Sequence, residues 1–206
     1  MSLPSRTLRA WRLRGFTLVE VMIVVAIIGV LAAIAVYGVS LYLGAARASA
    51  AKNNIGEITR AAYAAFERER MGADSLADGT VSTETSHIIC DSAAPVPALV
   101  PKGAKYQPVT AAGSDFYGGT ETAGWRCLKF SIDQPIAYQY HYTRGSSVVA
   151  PGSPVACTVA DCFEAGAIGD TNANNVLARF ARAGIVNTAT GLMRVSSYIF
   201  IENEAE

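Results

Sequence analysis

Among its 206 residues the chain has only two histidines, His87 and His141. It contains no Gly-rich phosphate loop, no HExxH and no GxSxG. A catalytic base at His141 would need a nucleophile and an orienting acid, and the sequence places neither beside it. We therefore read no enzyme and no cofactor. Metal ligands are equally sparse. Cys157 and Cys162 form a lone C-x4-C pair with only distant histidines to complete a zinc set. Charge of one sign is missing where it matters. Residues 1–15 hold four of the 17 basic residues (Arg6, Arg9, Arg12, Arg14) and none of the 17 acidic ones. The remainder is therefore acidic and lacks the basic patch that nucleic acid requires, so no nucleic-acid partner is expected.

The next absence is the most informative. From Phe16 to Val36 there is no proline and only one formal charge, Glu20. About 20 apolar residues suffice to span a bilayer as a helix. The arginines before the run act as a topology signal, because Lys and Arg stay on the cytoplasmic side. A carboxylate within hydrocarbon costs roughly 2.5–3.5 kcal/mol on insertion scales, so Glu20 needs a partner that the run does not contain. Cleavage between Gly15 and Phe16 would create one, since the new α-amino group of a neighbouring copy can pair with Glu20. A secretory signal peptide is a rival reading, with Ala32-Ala33 or Ala48-Ser49-Ala50 as its cut. Against it, the apolar region is too long and the proposed cut precedes it. An uncleaved anchor leaves Glu20 unexplained.

Gly15-Phe16-Thr17-Leu18-Val19-Glu20 and the run that follows resemble the N-terminal signature of type IV pilins and of the pseudopilins of type II secretion. The resemblance implies a membrane peptidase that cuts after Gly15 and methylates Phe16, with Glu20 as the assembly residue. It also implies a pilin fold. The expected partners are copies of the chain in a helical filament, the prepilin peptidase/methyltransferase, the pilus assembly machinery and, before assembly, the lipid bilayer. The expected location is the bacterial inner membrane with the head outside the cytoplasm, then an extracellular pilus. A pseudopilin or minor pilin shares these features, and a signal-anchored surface domain that never polymerises is the alternative of another class. Motility, adhesion, DNA uptake and secretion leave no distinguishing motif. One departure concerns the helix. Many type IV pilins carry a proline soon after the apolar block, where this chain has Val36-Tyr37-Gly38.

The chain then divides into a leader at 1–15, a hydrophobic polymerisation helix at 16–44, an amphipathic helix at 45–72 and a head at 73–206. Glycines and small residues in the first helix (Gly29, Gly38, Ala26, Ala32) permit close helix–helix approach. In the second, Ile55, Ile58, Ala62, Ala65 and Phe66 fall on one face at helical spacing. Gly72 and Asp74 read as its end. Residues 73–126 are broken by Pro95, Pro97, Pro101 and Pro108 and read as loops. Beyond them, Leu128, Phe130 and Ile132, then Ile136, Tyr138, Tyr140 and Tyr142, alternate with polar or small residues on either side of Gln134-Pro135. That pattern predicts a hairpin. Residues 162–168 and 192–201 are further strand candidates, and 176–180 a weaker one. The fold class is α+β, a long helix packed on an antiparallel sheet of about four strands.

Four cysteines (Cys90, Cys127, Cys157, Cys162) lie beyond the helix, and an even count outside the cytoplasm reads as two disulfides. Three pairings are open. A short loop between Cys157 and Cys162 would leave Cys90 with Cys127. Asp170, Asn172 and Asn174 set oxygen side chains at alternate positions, as a weak calcium loop would. The sixth position is Asn175 and the twelfth Ala181, where such a loop needs Gly and Glu, so a polar turn is the stronger reading.

Overall fold

The computed structural model describes residues 15–68, 70–71, 85–153 and 156–204. The leader arginines and the helix end expected at Gly72 and Asp74 lie outside these residues. The elements run α1 (Leu18–Glu67), β1 (Arg70–Met71), β2 (Thr85–Ser86), β3 (Ala93–Val96), a 3-10 turn (Asp115–Tyr117), α2 (Gly124–Leu128), β4 (Gln139–Arg144), β5 (Cys162–Gly169), β6 (Ala178–Asn187), β7 (Leu192–Val195) and β8 (Phe200–Glu202). Two compact units emerge, divided between Tyr42 and Leu43. Among its described residues the first is helix from Leu18 onward.

The second unit is an α+β head. Its sheet has six antiparallel strands in the order β3-β4-β5-β6-β7, with β8 also paired to β6. β7 and β8 share β6 because Ser196 and its neighbours interrupt the expected 192–201 strand, so that β7 pairs with 184–187 and β8 with 179–181. The helix packs on this sheet through Ala48, Ala51, Ile55, Ile58, Ala62, Ala65 and Phe66, all buried. Their three- and four-residue spacing makes one stripe. Thr59 shares it at no polar cost, since its hydroxyl donates to the Ile55 carbonyl at 2.7 Å. Facing the stripe stand Tyr138, Tyr140, Tyr142, Phe163 and Phe180. Asn54 donates to the Tyr140 hydroxyl oxygen at 2.7 Å, so the polar tip of that ring is satisfied inside the core.

The hairpin predicted around Gln134-Pro135 does not form. Residues 124–128 make a single turn of helix that ends on Lys129, whose backbone is left-handed at φ 57°. Residues 129–135 belong to no strand. The alternation there reports burial without a ladder. Phe130 is buried against Phe116 and Trp125 in an aromatic cluster, with ring centroids 5.7 and 5.8 Å away, while Lys129 and Ser131 face outward. Two glycines set up this corner. Gly119 (φ 109°) and Gly124 (φ 77°) approach so closely that a Cβ on Gly124 would lie 3.0 Å from the Gly119 Cα. The proline-rich stretch assigned to loops also holds a strand, β3, with Pro95 inside it. β3 is an edge strand, where proline's missing N–H costs least.

The four cysteines pair as Cys90–Cys127 and Cys157–Cys162. The first joins the start of the sheet to α2 and closes a separation of 37 residues; the second spans five. By loop-closure entropy the long one restrains the unfolded chain by about 4 kcal/mol and the short one by about 2. Replacing Cys90 and Cys127 together by serine should therefore lower the denaturant midpoint of the full chain about twice as far as the same change at Cys157 and Cys162. Equal shifts in equilibrium unfolding would contradict that ordering.

Burial makes the tyrosine wall sensitive to alkali. Desolvation pushes Tyr140 up to about 12, partly offset by the Asn54 bond, and drives Tyr142 above its ordinary value as well. A raised folded value means that the unfolded chain loses its phenolic protons first. Stability is thus complete below about pH 10 and falls as pH rises toward the folded values. Denaturation midpoints should hold between pH 7 and 9 and then drop, and Tyr140→Phe should blunt the drop. An unchanged alkaline profile in Tyr140→Phe would refute the assignment.

The outer face of the sheet is covered too, by residues 145–153. Val148 N–H and Val149 N–H donate to Glu164 Oε1, both at 2.8 Å, and Ala150 N–H donates to Oε2 at 3.2 Å. Glu164 is completely buried. Beneath it, Gly166 leaves room for Val149, whose Cγ2 would sit 2.6 Å from a Cβ at that position. His141 and Gln139 lie on the same face. The histidine ring and the Gln139 side-chain oxygen are 2.8 Å apart, and Gln139 donates onward to the Pro97 carbonyl at 2.7 Å. Burial pushes the His141 imidazole down from its ordinary value, with Glu164 pulling partly the other way.

Candidate functional site

Gly15, Phe16 and Glu20 lie at the entry to α1. Gly15 is exposed and outside the helix, and Phe16 is 81% exposed. The bond between them is thus open to a protease. Thr17 starts the helix. Its hydroxyl accepts the Glu20 N–H at 3.2 Å and its carbonyl accepts the Val21 N–H at 3.3 Å. Thr17-Leu18-Val19-Glu20 therefore begins as a capping box does, with Thr at the cap and Glu three residues on. Sequence reading that looked only at the apolar run missed this, although Thr-x-x-Glu is visible as a helix-start signal. The motif fixes where the helix starts, leaving Phe16 ahead of it and Glu20 in its first turn.

The Glu20 side chain makes no hydrogen bond or ion pair among the described residues. Around it the surface is almost wholly apolar. Val19, Met22, Ile23, Val24, Ile27, Ile28, Val30, Leu31 and Ile34 are all exposed. The helix is long and apolar enough to cross a membrane, and none of its apolar window is buried. Scattered exposed hydrophobics need no explanation, but a continuous run of this extent marks a surface for lipid or for other proteins. It offers the two environments that can cover it, a bilayer and a bundle of like helices, and one carboxylate that suits neither unless paired.

The family model described as the prokaryotic N-terminal methylation motif matches residues 12–36. The chain carries the prepilin signature of type IV pilins and pseudopilins. Gly15, Phe16 and Glu20 all fall inside the match. No curated protein and no solved structure matches the chain. The signature supports a type IV pilin-like prepilin, and the proteins that share it are a structural type and not an enzyme family. It implies processing by a prepilin peptidase and a membrane-anchored precursor.

The other candidate residues of this chain lie in the head. The cysteines stand in the two disulfides described above. Asp170 is buried, and its two oxygens accept the N–H groups of Asn174 at 3.1 Å and Asn175 at 3.0 Å. Asn172 and Asn174 accept from backbone N–H groups two residues on, in Asx turns. This is the wiring of a tight polar turn, with left-handed residues at Ala173 and Asn175. Among the described residues no group of three or more His, Cys, Asp or Glu is placed to hold a metal ion. Glu164 was not singled out from sequence. Its signal was a lone acid in the apolar stretch from Cys162 to Ile168, and such a residue needs buried partners.

Proposed function

We propose that this chain is the structural subunit of an extracellular type IV pilus. The precursor is cut after Gly15 by a prepilin peptidase, methylated at Phe16 and polymerised through residues 16–44. Residues 45–72 and 73–206 then form the head that the filament displays. The observation that carries this reading is the prepilin signature standing on a wholly exposed apolar helix with Glu20 near its start. Apolar packing of helices supports cohesion, and head-to-tail repetition that does not close produces a fibre. Two disulfides in the head suit an oxidising compartment outside the cytoplasm, where such a filament is displayed.

The test is intact mass and N-terminal peptide analysis of the protein in a sheared cell-surface fraction. A chain beginning at N-methylated Phe16 in that fraction is the expected result. Methylated Phe16 confined to the membrane fraction would replace the pilus with a pseudopilin or a minor subunit. A chain beginning within residues 33–51 would mean ordinary secretion and would end the filament reading.

A further inference from the structure

The outer face of the sheet carries a cleft of about 500 Å³ at the end away from β3. That is within the size range of small-ligand sites, roughly 300–1,000 Å³. One wall is the loop closed by Cys157–Cys162, and the other is the connection from β7 to β8. The floor is β6, where Ile185 stands 48% exposed. Both walls are held in place. The disulfide fixes the first. The second is tied to β6 by the Ser196 N–H donating to the Ala183 carbonyl at 2.8 Å and by Arg182 Nε donating to the Ser196 carbonyl at 2.7 Å. A site preorganised in this way loses little entropy when it binds.

The chemistry of the lining is selective. Arg194 sits opposite Ile185 in the β6–β7 register, so its stem lies along an apolar side chain while its guanidinium is free to reach into the cleft. It makes no hydrogen bond or ion pair among the described residues, unlike Arg144, Arg179 and Arg182 on the same sheet. Among the described residues no Asp or Glu lines the cleft. Asp161 belongs to the disulfide loop but is not among the lining residues. An unpaired guanidinium in a cleft without carboxylates favours an anion and suits a planar carboxylate in a bidentate pair. Beside it Tyr198 presents an exposed ring at 51%, and Thr158 and Ser197 bring hydroxyl groups. A flat apolar face, hydroxyl partners and one carboxylate clamp are together the complement of a sugar ring bearing an acid.

The geometry points to this cleft as a binding site for a carboxylate-bearing saccharide, with Arg194 clamping the carboxylate and Tyr198 supporting the ring. The site lies wholly within the head and stands or falls independently of filament assembly. The full chain in detergent micelles should be titrated calorimetrically with N-acetylneuraminic acid and with a galacturonate trimer. Galactose serves as the neutral control and inorganic phosphate as the bare anion. One or both acidic sugars should bind at least tenfold more tightly than either control, and which one binds separates a cell-surface glycan from a uronate polysaccharide as the source. Arg194→Gln and Tyr198→Ala should each weaken binding at least tenfold while leaving the thermal midpoint within a degree or two. Arg194→Lys should recover only part of the loss, because an ammonium cannot make the paired contact. Failure of both acidic sugars to bind would overturn the proposal. So would phosphate binding as tightly as they do, or undiminished binding to a folded Arg194→Gln.

Discussion

Cells producing Glu20→Ala in place of the native chain should make no filaments, or at most a small residue of them, while the precursor still enters the membrane and is still processed. Insertion depends on the apolar run and on the arginines before it, and removing a carboxylate eases entry into hydrocarbon. Processing depends on the exposed segment at Gly15 and Phe16, which Glu20 does not touch. Assembly is different. The helix surface is apolar on every side, so packing alone allows neighbouring helices to slide past one another. In the proposed filament, a single carboxylate that must find a single ammonium would convert that sliding into one register, as a lone buried polar residue does in a coiled coil. Glu20→Gln is the sharper variant, since it keeps size and polarity and removes only charge. The measurement is quantitation of sheared filaments beside immunoblots of the membrane fraction. Abundant normal filaments from Glu20→Gln would eliminate charge pairing as the register device.

Glu164→Ala should cost the head about 3–5 kcal/mol, the range for breaking a buried polar cluster from one side. The change removes both acceptor oxygens at once and leaves three N–H groups without partners, the buried ones of Val149 and Ala150 and the half-buried one of Val148. In a unit of this size each kcal/mol moves the thermal midpoint by roughly 2–4 °C, so a fall on the order of 10 °C is expected. Glu164→Gln should lie between. It retains an acceptor for Val148 and Val149 but turns an amide N–H₂ toward Ala150. Gly166→Ala tests the same cover by another route, because the added methyl meets Val149 with nowhere to yield but outward. Thermal unfolding followed by circular dichroism decides the matter. A midpoint for Glu164→Ala within 2 °C of the native one would show that 145–153 contributes nothing to the stability of the head.

The parts of this molecule that were legible in sequence are those where one physical effect dominates. The apolar run from Phe16, its single charge and the basic leader define the N-terminal segment without reference to anything distant. The stripe through Ile55, Ile58, Ala62, Ala65 and Phe66 could be read because helical periodicity depends on one partner surface only. Strands were harder. The alternation at Leu128, Phe130 and Ile132 is real, but it records which side chains meet the aromatic cluster, while the backbone is turned aside by the Gly119–Gly124 contact and the Cys127 crosslink. β3 was obscured by its prolines, which an edge position tolerates. The two-sided burial of β4, with His141 and Gln139 enclosed as well as the tyrosines, depends on chain outside the strand, the Pro97 carbonyl that receives Gln139 and the 145–153 segment on the outer face. No local pattern in β4 announces it. The cleft beside Arg194 depends on that residue lacking a partner among the described residues, and an absence of that kind is visible only once the neighbours are placed.

Both disulfides close within residues 43–206, and neither reaches back into the first unit. Any change in what surrounds the apolar helix therefore leaves every crosslink as it was. The covalent network is finished once, when the head first meets an oxidant. In the filament proposed above, each head would enter assembly with its crosslinks already complete, and assembly would call for no further oxidation.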